Sequence, residues 1–218
     1  MKIEIEQGTQ EWLDLRRTHI TATDSSSILE MNPYRSSIDC FYEKTGLREV
    51  ILTKKMQEGS DMEPFAREAF IKETGFNVKP GVFISNTYPW LMCSMDGLSD
   101  NGLVGVEIKC GASACKSALR GNIPAYYNCQ MQHQMLVLEL EDMYYWTFDG
   151  ETGKLLRVHR DEALIKRIIN ETKPFHEDLL LLKPPQPDYS DFDMPLSEWL
   201  ILAEANYKKI MNDLQEAI

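Results

Sequence analysis

The stretch between residues 81 and 109 carries three short β-favouring runs, while helix formers dominate most of the chain on either side. Gly81-Val82-Phe83-Ile84-Ser85, Trp90-Leu91-Met92-Cys93-Ser94 and Leu103-Val104-Gly105-Val106-Glu107-Ile108-Lys109 each read as a strand. Asp96-Gly97 and Asn101-Gly102 read as turns between them. Two more strands are expected over 143–148 and 155–159. A sheet must bury at least one face, and here the covering material is helical on both sides of the strand cluster. The expected fold class is therefore α/β (α+β), a central mixed sheet flanked by helices.

Local signals place the helices. Residues 9–17 predict a short helix with Trp12, Leu13 and Leu15 as its apolar positions. Thr21-Ala22-Thr23-Asp24 offers hydroxyl and carboxylate caps for a second. Ser36-Ser37-Ile38-Asp39 resembles a capping box and predicts a third helix, ending near Gly46. Residues 53–75 are rich in helix formers, but Pro64 disfavours helical geometry in the residue before it. A break or kink is expected near Glu63, then a helix closed by Gly75. Helices follow over 112–120 and 124–139, the second with Pro124 in its first turn, and over 161–182. Residues 183–195 read as an acidic, proline-rich linker and 196–217 as an amphipathic terminal helix. All 218 residues read as one domain, with its core at about 10–182 and no internal repeat.

Bulk properties narrow the function classes. No apolar run reaches the roughly 18 residues that span a bilayer, and the start MKIEIEQGTQ lacks the basic and apolar regions of a signal peptide. The expected setting is the cytoplasm. Cys40, Cys93, Cys110, Cys115 and Cys129 are odd in number and include no C-x-x-C pair, which argues against a disulfide framework and a zinc ribbon. A net charge of -11 counts against an ordinary basic DNA-binding module. It is compatible with a DNA enzyme, because acidic metal ligands and their bound cations reverse the local field.

The chemical signal lies in Ser94-Met95-Asp96-Gly97 and Val106-Glu107-Ile108-Lys109. Glu107 and Lys109, two apart on a strand, point to one face, and Ile108 points to the other. If the two strands pair as a hairpin, Asp96 brings a second carboxylate to Glu107, with an ammonium beside both. Phosphodiester hydrolysis uses this combination. Carboxylate oxygens suit Mg²⁺, the metal lowers the pKa of a bound water, and a lysine orients that water or stabilises developing charge. Taken alone, the spacing is a weak motif, and strand-borne Glu and Lys more often form a solvated face.

Three further segments strengthen it. Gly59-x-x-x-Glu63-x-x-Ala66-Arg67 offers another carboxylate from the preceding helix. Gln130-Met131-Gln132 puts amides on the helix after the hairpin. Arg16-Arg17-Thr18-His19-Ile20-Thr21-Ala22-Thr23 places arginine and hydroxyls at a helix start, a phosphate cradle or simple capping.

In order and together, these motifs resemble the phage lambda exonuclease family, the YqaJ-type viral recombinase nucleases of the PD-(D/E)xK superfamily. The resemblance runs from about Trp12 to Phe148. Met95 stands where the family pattern often has proline, and residues beyond about 150 match poorly. The resemblance implies a PD-(D/E)xK restriction-endonuclease-like core. It implies a 5′→3′ exonuclease that degrades one strand of duplex DNA and leaves a 3′ single-stranded tail for recombination, in a bacterial host cell. It implies Mg²⁺, with Mn²⁺ as a substitute, at Asp96, Glu107 and the Ile108 carbonyl, with Glu63 contributing to a second ion. Lys109 would act on the attacking water, with Gln130 and Gln132 beside it. Arg16, Thr23 and Ser94 would hold the 5′-phosphate. Met56 would wedge the strands apart, and Arg35 would track the DNA backbone. Implied partners are 5′-phosphorylated duplex ends, two further copies of the chain in a homotrimeric ring, and a single-strand annealing protein.

Rival readings remain. An endonuclease of the same superfamily would cut closed circles. An iron–sulfur relative would need a cysteine cluster after the core, and no cysteine follows Cys129. A non-catalytic DNA-end-binding scaffold would bind metal without turnover. An acidic interaction protein would dock through the face Ile201, Leu202, Ala205, Ile210 and Leu214.

Overall fold

The computed structural model describes residues 1–185 together with Ile201, Glu204, Ala205 and Lys208. Apart from those four residues, the expected terminal helix and the linker from residue 186 onward lie outside the described residues. The elements run β1 (Lys2–Ile3), α1 (Gln10–Thr18), β2 (Ile20–Thr21), α2 (Ala22–Ile28), α3 (Ser37–Lys44), α4 (Lys54–Thr74), β3 (Val78–Ile84), β4 (Leu91–Ser99), β5 (Gly105–Cys110), α5 (Ala112–Leu119), α6 (Ala125–Leu138), β6 (Asp142–Phe148), β7 (Gly153–His159) and α7 (Glu162–Leu180).

Among the described residues the strands form one mixed sheet in the order β1-β3-β4-β5-β6-β7, with β2 joined parallel to β4. The central step β5–β6 is parallel, so the chain must cross over, and α5 and α6 make that crossing. The helix starts follow their caps. Thr21 and Ser36 form capping boxes with Asp24 and Asp39, and Thr9 accepts from the Trp12 N–H. The C-cap of α4 is Gly75, in the left-handed region at φ 74°, where only glycine sits without strain.

The two faces of the sheet bury different partners. On one, α2, α6 and α7 enclose Leu91, Cys93, Met95, Met131, Met135, Tyr145 and Ile168. On the other, Ala66 and Phe70 of α4 pack on Val78, Val106, Ile108 and Trp146. The alternation of β5 therefore sends Val106 and Ile108 beneath α4 and leaves Glu107 and Lys109 on the α6 side.

Two expectations needed correction. Of the expected break or kink near Glu63, the break is absent: one helix runs from Lys54 to Thr74 through Pro64. Proline denies the Ser60 carbonyl its intrahelical donor, but Ser60 is exposed, so that carbonyl is open to solvent. Asp96-Gly97 is not a turn, because β4 continues to Ser99. The pairs Lys79↔Leu98 and Gly81↔Met95 leave two residues of β4, Asp96 and Gly97, opposite the single residue Pro80. This is a β-bulge, opposite a proline that has no N–H for the ladder. A Cβ at Gly97 would lie 2.7 Å from side-chain carbons of both Val106 and Val78, so the glycine is there for close packing. Asn101-Gly102 is the turn, and Gly102 adopts φ 71°.

Candidate active site

The antiparallel ladder between β4 and β5 is short, with Gly97↔Val106 and Leu98↔Gly105 paired. Beyond it the bulge turns Asp96 toward β5, and the Asp96 Oδ2, rather than a backbone carbonyl, accepts the Ile108 N–H at 2.7 Å. An extended residue directs its N–H and C=O to the same side, so the Ile108 carbonyl faces this gap too.

Glu107 is 1% exposed and its carboxylate is fully engaged. Oε1 accepts from Gln130 Nε2 at 2.6 Å and pairs with Lys109 Nζ at 2.6 Å; Oε2 accepts from Gln134 Nε2 at 2.6 Å. The Lys109 ammonium also lies 4.5 Å from the centre of the Tyr127 ring. Burial opposes its charge, yet Glu107 and Asp96 outweigh burial and hold Lys109 above the ordinary lysine range, so it stays an ammonium. From α4, Arg67 Nε donates to the Asp96 carbonyl at 2.5 Å and its guanidinium pairs with Glu63.

Asp96 is held well above the usual carboxylate range, first by burial and then by the negative charges of Glu107 and Glu63. Glu63 is raised as well, chiefly by burial. Among the described residues no three His, Cys, Asp or Glu side chains are drawn together as a metal cage. The donor set still fits a hard cation. The ligands available are carboxylate and carbonyl oxygens, and the mutual repulsion that raises Asp96 is what a divalent ion would relieve.

The expected phosphate residues meet through a tryptophan. Trp12 Nε1 donates to Ser94 Oγ at 2.8 Å, the Arg16 guanidinium stacks 4.4 Å from the Trp12 ring centre, and Arg16 donates to Thr23 Oγ1 at 3.3 Å. Beneath them Asp24 is buried, pairing with Lys44 at 2.7 Å and Arg35 at 2.8 Å. Burial would raise its carboxyl, but Lys44, Arg35 and Arg16 together hold it well below the usual range.

Two placements differ from the sequence expectation. Gln132 does not join the site. It donates to the His159 carbonyl at 2.9 Å and accepts from the Asp161 N–H at 2.8 Å, tying α6 to the start of α7. Residues two apart on a helix face nearly opposite ways, whereas Gln134, four from Gln130, shares its face. Arg35 braces Asp24 and Glu43 internally, at 2.8 and 2.5 Å, instead of reaching outward. Met56 is half exposed in the first turn of α4, following exposed Val50, Ile51 and Leu52. Sequence reasoning passed over Gln134, Arg67, Tyr127 and Trp12 as site residues. The i, i+4 spacings Gln130/Gln134, Glu63/Arg67 and Trp12/Arg16 were the available signal.

Residues 11–154 match the YqaJ-like viral recombinase domain. The uncharacterized protein YqaJ of Bacillus subtilis (strain 168) is 26% identical over 186 residues, covering 81% of this chain; the chain spans 58% of that relative's length. The alkaline exonuclease LHK-Exo from Laribacter hongkongensis superposes with a TM-score of 0.70 at 27% identity, over 80% of this chain and 94% of that one. Its complex with dAMP matches equally well. A phage-related exonuclease from Haemophilus somnus 129PT shares the fold, with a TM-score of 0.58 at 13% identity, over 75% of this chain and 94% of that one. The family match takes in the motifs from Trp12 to Phe148, and the chain belongs to the YqaJ-like viral recombinase domain family.

Proposed function

We propose that this protein is a Mg²⁺-dependent exonuclease that degrades one strand of linear duplex DNA in the 5′→3′ direction and leaves a 3′ single-stranded tail. The observation that carries the reading is the joint presence of Asp96, Glu107 and a lysine held as an ammonium at the gap between β4 and β5. The structural similarity to LHK-Exo, an alkaline exonuclease, supports it.

Asp96, Glu107 and the Ile108 carbonyl would hold the metal, with Glu63 at the margin for a second ion. Bound there, Mg²⁺ or Mn²⁺ would supply Lewis acidity and a water of lowered pKa. The chain's own groups do the positioning. Gln130 and Gln134 fix both oxygens of Glu107, so its carboxylate cannot swing. Glu107 and Asp96 hold Lys109 as an ammonium in the metal-free site. The lysine's part is to orient the attacking water by donating a hydrogen bond and to stabilise charge developing on the phosphate. Arg16, Thr23 and Ser94 would take the 5′-phosphate of the strand being cut, with Asp24 and Lys44 as the rigid floor of that pocket. Met56 would part the strands. A homotrimeric ring would keep the enzyme on its substrate, and the exposed tail would pass to a single-strand annealing protein.

The test is digestion of linear duplex DNA labelled separately at its 5′ and 3′ ends, with and without Mg²⁺, beside a closed circular control. Mg²⁺-dependent loss from 5′ ends with the circle intact is expected. A cut circle would replace this reading with an endonuclease, and absence of cutting with every divalent metal would replace it with a DNA-end-binding scaffold.

A further inference from the structure

Tyr34 is 81% exposed, on the loop between α2 and α3. Its ring meets Tyr126 edge to face, with centroids 5.9 Å apart and planes at 88°. Tyr126 lies 4.2 Å from Tyr127, and the Tyr127 ring carries the Lys109 ammonium at 4.5 Å. Three aromatic rings thus lead in sequence from the surface to the catalytic lysine.

The loop that carries the outermost ring is braced. The Tyr34 N–H donates to Asn32 Oδ1 at 2.9 Å, and the neighbouring Arg35 is braced by Asp24 and Glu43. A large aromatic side chain is therefore presented to solvent from a loop tied by hydrogen bonds and ion pairs.

We infer that Tyr34 and Tyr126 form a stacking platform for an unpaired base of the strand being cut. The inference rests on the nuclease reading above. Degrading one strand of a duplex, as proposed above, requires that strand to part from its partner close to Lys109, whose side chain is only 22% exposed. A separated base loses its stacking neighbours, and an aromatic face restores that contact without reading sequence. Stacking also suits a chain of net charge -11, because it holds a polyanion without relying on a general electrostatic attraction. The rings lead by successive contacts from the surface to Lys109, which fits an approaching strand better than a flat protein interface.

The full-length protein is assayed as Tyr34→Ala, Tyr126→Ala, Tyr34→Phe and Tyr126→Phe, with thermal melting to confirm folding. Each digests linear duplex DNA carrying either normal nucleotides or abasic sites in the first positions of the 5′ end. In a parallel arm, 2-aminopurine at those positions reports stacking by fluorescence quenching in Ca²⁺. On normal DNA the alanine variants should raise KM by about 10-fold, the scale of one lost aromatic–base contact. On abasic DNA they should match the wild type. The phenylalanine variants should behave as wild type throughout, and the alanines should lose the quenching. Equal losses on both substrates, phenylalanine variants as impaired as alanine, or a changed native mass with base-independent kinetics would overturn the platform. Failure of the wild-type protein to cut linear DNA would sink the nuclease reading instead.

Discussion

Asp96 is the residue at which folding and function pull in opposite directions. Its carboxyl is buried beside two other acids, and that environment raises its pKa in the folded protein. A carboxyl raised on folding favours the native state while protonated. That contribution is present at acid pH and is lost as pH rises from the unfolded value through the folded one. Asparagine retains an oxygen to accept the Ile108 N–H but has no charge to bury. In EDTA, Asp96→Asn should therefore melt higher than wild type, with a gap that widens as pH rises. A few degrees is the expected scale, since each kcal/mol is worth roughly 2–4 °C in a chain of this size. The same substitution should lower cleavage by about 10²–10³-fold or more, the range for losing a charged group that stabilises a transition state. A variant that melts lower than wild type at pH 8 without metal would contradict this account.

Among the elements, α4 is built in two parts although it is one continuous helix. Residues 54–61 are exposed apart from half-buried Gly59, and Pro64 removes a rung of the ladder shortly before the packed turns at Ala66 and Phe70. A proline inside a helix costs about 3 kcal/mol relative to alanine. Amides of residues 57–63 should accordingly exchange with solvent much faster than those of 66–74, and Pro64→Ala should narrow the difference by slowing the first group. Equal protection on both sides of Pro64 in the wild-type protein would sink this prediction. The expected positions of most elements were legible from caps and periodicity: Thr21, Ser36, Gly75 and the alternation of β5 each mark what the structure contains. Asp96-Gly97 was misread because a dipeptide that suits a turn also suits a bulge. What separates the two is Pro80 on the neighbouring strand, and nothing local to Asp96 reveals that pairing. Gln132 was misassigned for a similar reason, since the face of α6 that meets β5 depends on how the helix is rotated against the sheet.

For the whole molecule, charge and assembly are linked. An overall charge of -11 repels DNA from a generic surface, so under the proposed function binding would be concentrated near Arg16 and Lys109. A ring would place such a region on an enclosed lumen. Sedimentation equilibrium should then give the mass of three chains at micromolar concentration, and a monomer that still digests long duplex without dissociating would exclude the ring as the source of processivity.

By itself the sequence determined the fold class, most helix starts, and the pairing of Glu107 with Lys109 on one strand face. These depend on caps, on strand periodicity and on residue chemistry, which act over a few residues. The family motifs, read in order, also named Asp96 and the Arg16–Thr23–Ser94 group. Tertiary structure alone decided that a bulge opposite Pro80 aims Asp96 at β5, that Gln134 and not Gln132 holds Glu107, and that Arg67 ties α4 to Asp96. It also decided that three tyrosines line up outward from Lys109. Each of those depends on which strand lies beside which and on how a helix is turned on its long axis. Both are set by side-chain packing between segments far apart in the chain.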